Sequence, residues 1–340
     1  MDKPLVAVAS LGGTITMTSN QPDGSGVQPS LNVDDLLDAA PLLGATARLA
    51  TATLATMPGA SLRFEDIIGA VAWADAAVEK GAHGAVLVQG TDTIEETSYL
   101  ADLYWDRPEP FVVTGAMRPP QTAGADGPGN LLAAVRIASD RAARDLGVLV
   151  TMNDEIHAAT RVRKTRSSGP NAFASPSFGP LGYVEEARVV FGNRPVRWSG
   201  LTRPQNPTTP RIALLETFLG DDGELIELAA DAGFDGIVVN GFGVGHVSRR
   251  VAAAVEHATS ACPVVFSTRT GSGTTYAGSY GFPGSESDLI AKGAIPAGWL
   301  DARKSRILLG CLVAARRTPD EIRAEFLRRG EHPGGPRLIE

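Results

Sequence analysis

Short apolar runs alternate with amphipathic stretches along most of this chain, and that alternation leaves few folds open. The runs PLVAVASL, GAVLVQG, PFVVTGA and LGVLVTM are apolar or small at nearly every position. A strand that reads apolar on both faces must be covered on both, which places these runs inside a mainly parallel sheet flanked by helices. Between them, FEDIIGAVAWADAAVEKG repeats its apolar residues at helical spacing and stops at Gly81. IEETSYLADLYW, ADGPGNLLAAVRIASDRAARD and NVDDLLDAAPLL read as helices for the same reason. The expected class is α/β: a larger N-terminal, mainly parallel-sheet domain and a smaller C-terminal α/β domain.

At 340 residues the chain is long for one hydrophobic core. The periodicity fails between Phe191 and Arg211, where GNRPVRWSGLTRPQNPTTPR is polar and rich in proline. The expected division is residues 1–192, a linker over 193–211, and a second domain over 212–340. A net charge of -7 argues against nucleic-acid or anionic-membrane partners, which call for a basic face. Cys262 and Cys311 each sit in an apolar run and read as buried thiols; the five histidines show no metal-ligand spacing. Neither a metal nor another cofactor is implied. No apolar run approaches the roughly 20 residues of a membrane span, and the N-terminus lacks a secretory pattern, so a cytoplasmic location is expected.

Open parallel sheets bind ligands beyond the carboxyl ends of their strands. Three strands here end in unusual loops: LGGTIT, VQGTDTIEET and VTGAMRPP. Gly12 and Gly13 let the backbone approach a ligand closely and then present Thr14. Gly90-Thr91-Asp92-Thr93 sets two hydroxyls around a carboxylate, an arrangement that would equally cap the helix starting near Ile94. A threonine nucleophile needs a base. No GxSxG turn is present and no histidine is marked as a partner, which leaves Lys164 among Arg161, Arg163 and Arg166. Cations crowded around a lysine favour its neutral form, although such a run also reads as a solvated basic face.

In order and spacing, LGGTIT, QGTDTIEET, VTGAMRPP, ADGPGNLLAAV, VLVTMND and VRKTR resemble the bacterial-type L-asparaginases, the asparaginase/glutaminase family. The resemblance runs from Pro4 to the final helices. It implies an amidohydrolase that converts L-asparagine and water to L-aspartate and ammonia through an acyl-enzyme on a threonine, with side activity on L-glutamine. It also implies a left-handed crossover in the large domain and a homotetramer, a dimer of dimers with sites built between subunits. Thr14 matches the first catalytic threonine, while Thr91, Asp92 and Lys164 match a second group; of the two threonines Thr14 is the favoured nucleophile and Thr91 the alternative. In that scheme Lys164 helps deprotonate Thr91, and Asp92 holds the substrate's α-ammonium or orders the charges. Gly13, Gly59, Ser61, Gln89, Gly90 and Ala116 fall at substrate-binding positions, joined by His246, Tyr280 and Glu286 from the small domain.

The departures from the family pattern are specific. The loop MTSNQPDGSGVQPS has no tyrosine to orient the first threonine, so weaker lid closure and a higher KM are expected unless Tyr276 or Tyr280 of the small domain restores the contact. Gly59 stands where relatives offer a serine, with Ser61 two residues on; His246 stands where relatives often have asparagine. The acid that relatives donate across the interface has no clean match, and Tyr280 or Glu286 is the expected stand-in. Two other readings remain at this point: a small-ligand-binding protein without turnover, and the amidase subunit of a tRNA-dependent amidotransferase. The latter would carry a domain ahead of the GGT strand, which here begins at residue 5.

Overall fold

The computed structural model describes residues 3–18, 26, 28, 29, 35, 40, 42–204 and 209–331. The lid stretch after Thr18 and most of the NVDDLLDAAPLL helix reading lie outside the described residues. Internal contacts divide the chain into two units, Met1–Arg203 and Pro204–Glu340.

The first unit is built on an eight-stranded sheet. Its strands are β1 (Leu5–Ser10), β2 (Arg48–Thr53), β3 (Gly84–Val88), β4 (Phe111–Thr114), β5 (Val148–Met152), β6 (Glu155–Ala158), β9 (Gly182–Glu185) and β10 (Arg188–Phe191). A separate two-residue ribbon pairs β7 (Arg163–Lys164) with β8 (Phe173–Ala174). The order across the large sheet is β10-β9-β6-β5-β4-β3-β1-β2. Pairing is parallel from β2 through β5 and antiparallel from β5 to β10. The central strands are the apolar runs of the sequence, with β3 and β5 buried at every residue. Helices α1 (Phe64–Glu79), α2 (Ile94–Tyr104) and α3 (Gly127–Ser139) bury their apolar faces. Val6, Val8, Val86, Val88 and Val112 pack with Leu131, Ala134 and Val135 of α3 in one core.

Two elements differ from the sequence expectation. Helix α3 stops at Ser139 rather than running on to Asp145, because the Asp140 side chain accepts from the Ala142 N–H at 2.8 Å and caps a short turn. The sheet also continues past β5 through a two-residue turn at Asn153 and Asp154, both at positive φ (53° and 61°). That is the primed turn whose twist suits a hairpin, and Asn and Asp tolerate its left-handed backbone.

The second unit is a four-stranded parallel sheet in the order β11 (Ile212–Glu216), β12 (Gly236–Gly241), β13 (Val264–Thr268), β14 (Ile295–Pro296). It carries α4 (Glu224–Asp231), α5 (Arg249–Thr259), α6 (Glu286–Ala291), α7 (Ala302–Ala314) and α8 (Pro319–Arg329). Ser248, Ser285, Asp301 and Thr318 each accept a hydrogen bond from a first-turn N–H, which sets the starts of α5 to α8. Both cysteines are buried and unbridged.

One buried group in the first unit makes the fold sensitive to acid. His157 on β6 has no solvent exposure; its Nδ1 lies 3.0 Å from Ser175 Oγ and its Nε2 3.2 Å from Glu155 Oε2. Burial pushes its pKa down to about 4, and burial also raises that of Glu155. As pH falls from 6.5 towards 4, the unfolded chain takes up a proton on His157 that the native state refuses, so stability falls across that window. The expected loss is on the order of 3 kcal/mol. Denaturant unfolding at stepped pH checks this: His157→Asn should flatten the decline between pH 6.5 and 4.

Candidate active site

Three glycines bring the strand ends together. Gly13 follows β1 at φ 90°, and a Cβ there would stand 2.0 Å from the Gly90 nitrogen. A Cβ on Gly59 would stand 2.9 Å from the Gly90 carbonyl oxygen, and one on Gly90 2.8 Å from the Gly59 nitrogen. Only bare backbone fits at this crossing. It sets the turn bearing Thr14, the turn Gly59–Ser61 and the turn Thr91–Thr93 side by side.

Hydrogen bonds hold the crossing. Gln89, fully buried, donates from Nε2 to the Gly90 carbonyl at 3.1 Å and to Thr93 Oγ1 at 3.2 Å; Thr93 donates in turn to the Gly59 carbonyl at 3.1 Å. Thr16 donates from Oγ1 to the Gly13 carbonyl at 2.8 Å. The neighbouring VTGAMR loop is set by the start of α3. Asp126 accepts from the N–H groups of Met117 and Arg118 at 3.0 and 2.9 Å, and Asn130 donates to the Gly115 carbonyl at 3.0 Å.

Lys164 arrives from the β7–β8 ribbon. Its Nζ donates to Thr91 Oγ1 at 2.9 Å and to Asp92 Oδ1 at 2.8 Å. Thr91 is buried, whereas the Asp92 side chain is 64% exposed, so the lysine joins a shielded hydroxyl to a carboxylate at the solvent edge. An ammonium aimed at a hydroxyl oxygen stabilises the alkoxide, and a neutral amine in the same place accepts its proton. Sequence reasoning missed Glu95. It is buried on the first turn of α2, and its Oε2 accepts the Lys164 backbone N–H at 2.6 Å. The available signal was its place four residues after Thr91, one helical turn on.

The expected substrate positions separate on inspection. Thr14 is half-buried at the mouth of β1, and Ser61 is exposed in its turn. Gln89 and Ala116 turn fully buried side chains inward. The Gln89 amide nitrogen bonds the loop beneath the site, while its buried Oε1 has no hydrogen-bond partner among the described residues.

In the second unit, His246 Nε2 lies 2.9 Å from Glu286 Oε2, and its ring meets those of Tyr280 and Phe282 edge-on at 4.8 and 5.0 Å. The Glu286 carboxylate is fully buried, and its Oε1 accepts from the N–H groups of Ser279 and Tyr280 at 2.6 and 2.7 Å. Burial pushes the carboxyl up, but the bonds from Tyr280, His246 and Ser279 outweigh it and hold it below its ordinary value. Tyr280 is itself 46% exposed.

Fold and site together describe a two-unit α/β protein with a threonine–lysine pair at the carboxyl ends of parallel strands. The family description "Asparaginase, N-terminal" matches residues 5–197, and "Glutaminase/Asparaginase C-terminal domain" matches residues 211–326. A Haemophilus influenzae protein described as a probable periplasmic L-asparaginase is 30% identical over 331 residues, covering 96% of this chain and 93% of that protein. A Saccharomyces cerevisiae L-asparaginase is 32% identical over 336 residues, covering 95% and 90%. The crystal structure of a probable cytoplasmic L-asparaginase from Campylobacter jejuni superposes with a TM-score of 0.87 at 29% identity, covering 96% of this chain and 99% of that one. The chain belongs to the asparaginase family.

The glycine crossing can be tested directly. Gly13→Ala puts a methyl group into the Gly90 backbone at a positive φ, so the two strand ends must part. Turnover should fall by at least about a hundredfold, while circular dichroism shows the sheet intact.

Proposed function

We propose that the protein is an L-asparaginase. The single observation that supports this most is the Lys164 ammonium within hydrogen-bond reach of both Thr91 and Asp92, beside the crossing that presents Thr14. Thr14 Oγ attacks the side-chain amide carbon of L-asparagine. The hydroxyl proton passes to the amide nitrogen, which leaves as ammonia. Water then attacks the acyl ester, L-aspartate is released and the threonine hydroxyl is restored. The Thr91–Lys164 pair holds and moves the proton, and the exposed Asp92 carboxylate binds the substrate's α-ammonium. Backbone N–H groups at the glycine crossing are suited to the oxyanion. L-Glutamine is the expected weaker substrate.

Ammonia release from asparagine and glutamine is the test. Thr14→Ala and Thr91→Val should each lower kcat by at least about a thousandfold at unchanged thermal stability. Lys164→Met should lower kcat far more than it raises KM; a raised KM at full kcat would assign Lys164 to binding instead.

The proposed assembly is a homotetramer, a pair of close dimers, in which the GFGVGH loop bearing His246 serves a neighbouring subunit's site. Exposed Phe218, Leu219, Leu225 and Leu228 on the second unit support association, since such apolar groups are ordinarily covered. Light scattering should give four times the chain mass, and a stable, fully active monomer would exclude this arrangement. The proposed compartment is the cytoplasm, which the two unbridged thiols suit.

A further inference from the structure

We propose that Glu95 is a positioning residue for the Thr91–Lys164 pair, the buried carboxylate that fixes where the lysine stands. This rests on the reading of that pair as the proton-handling group. Lys164 sits on a ribbon only two residues long on each strand, too short to fix a side chain by itself. The ribbon uses the Thr165 N–H, which donates to the Ala172 carbonyl at 2.8 Å. The Lys164 N–H points the other way, as alternate residues of a ribbon do, and would have no partner within the ribbon. Glu95 Oε2 accepts it at 2.6 Å, across 69 residues of chain.

The same short segment therefore grips the lysine at both ends. Glu95 holds the backbone nitrogen, while Thr91 and Asp92 hold Nζ. A free lysine side chain loses rotamer entropy when it is ordered. With the main chain pinned by the helix that directly follows the Thr91–Thr93 turn, the distance Nζ must bridge is set in advance. Glu95 lies in the first turn of α2, where the helix dipole favours an acidic side chain, and it accepts a short hydrogen bond. Helix and ribbon must then move together, so the hydroxyl and the amine keep their separation.

Three variants test this through kcat and KM for asparagine. Glu95→Met removes the acceptor at similar length and should lower kcat by about thirtyfold or more with KM within about threefold. Glu95→Gln keeps an acceptor oxygen and should recover most of that loss. In a Lys164→Met background, Glu95→Met should cost less than about twofold further, because a residue acting through Lys164 has nothing left to position. A full-sized effect in that background, an unchanged kcat in Glu95→Met, or a rise in KM alone would each overturn the proposal. Should Glu95→Met fail to fold, Glu95→Asp, which withdraws the acceptor by one methylene, must show the same split between kcat and KM.

A readout independent of turnover separates this inference from the proposed activity. In protein labelled with ¹³C at the lysine ε-carbon, the Lys164 resonance is identified by its loss in Lys164→Met. It should shift and sharpen towards the free-lysine position in Glu95→Met but stay near its native place in Glu95→Gln. An unshifted resonance in Glu95→Met overturns the positioning role even if the enzyme is an asparaginase. A shifted one supports the role even if asparagine proves not to be the substrate.

Discussion

The contact of bare backbone among Gly13, Gly59 and Gly90 is the constraint on which the rest of the site depends. Parallel strands in a sheet lie about 4.8 Å apart, but the loops leaving them normally diverge because their side chains need room. Here the loops after β1 and β3 and the turn near Gly59 close on one another, and a single Cβ at any of the three would meet backbone at 2.9 Å or less. Glycine brings extra backbone entropy to be lost on folding. The Gln89–Thr93–Gly59 hydrogen-bond chain and the Thr16–Gly13 bond help offset that loss, each bond contributing on the order of 1 kcal/mol.

From that crossing the chemistry takes its polarity. Thr91 faces the shielded side and Asp92 the solvent side, with Lys164 bonded to both. Hydroxyl, amine and carboxylate thus form one continuous hydrogen-bonded set. The low dielectric around a buried hydroxyl makes each charged neighbour count for more than it would in water. The second unit solves a different problem with the same physics. Its His246 is held from one side by a buried carboxylate and from the other by two aromatic rings, which fixes the imidazole without closing it off.

Much of the fold was legible because the signals are local. Continuous apolar runs identified β1, β3, β4 and β5, and helical spacing identified α1 and α2. The hairpin after β5 was also written in the sequence, as Asn153-Asp154, but the apolar run beside it drew the reading towards one strand only. β2 escaped because it is an edge strand with mostly exposed residues, so its pattern carries no burial signal. At the site, the two strand–Gly–Thr ends were visible from residue type alone, whereas Lys164 stood in a basic run that also reads as a solvated face until the resemblance singled it out.

By itself the sequence determined which segments are buried, where the chain turns and which residue types could carry acyl-transfer chemistry. Those properties depend on one residue and its near neighbours. Only the tertiary structure decided that Lys164 meets Thr91 across 73 residues, that Glu95 turns inward to hold the lysine's backbone, and that Glu286 bonds to His246 and to the N–H groups of Ser279 and Tyr280. The physical reason is that a polar side chain reads alike in sequence whether it faces solvent, substrate or a backbone N–H. Its partner is chosen by which surfaces pack together, and that choice is made by the apolar core.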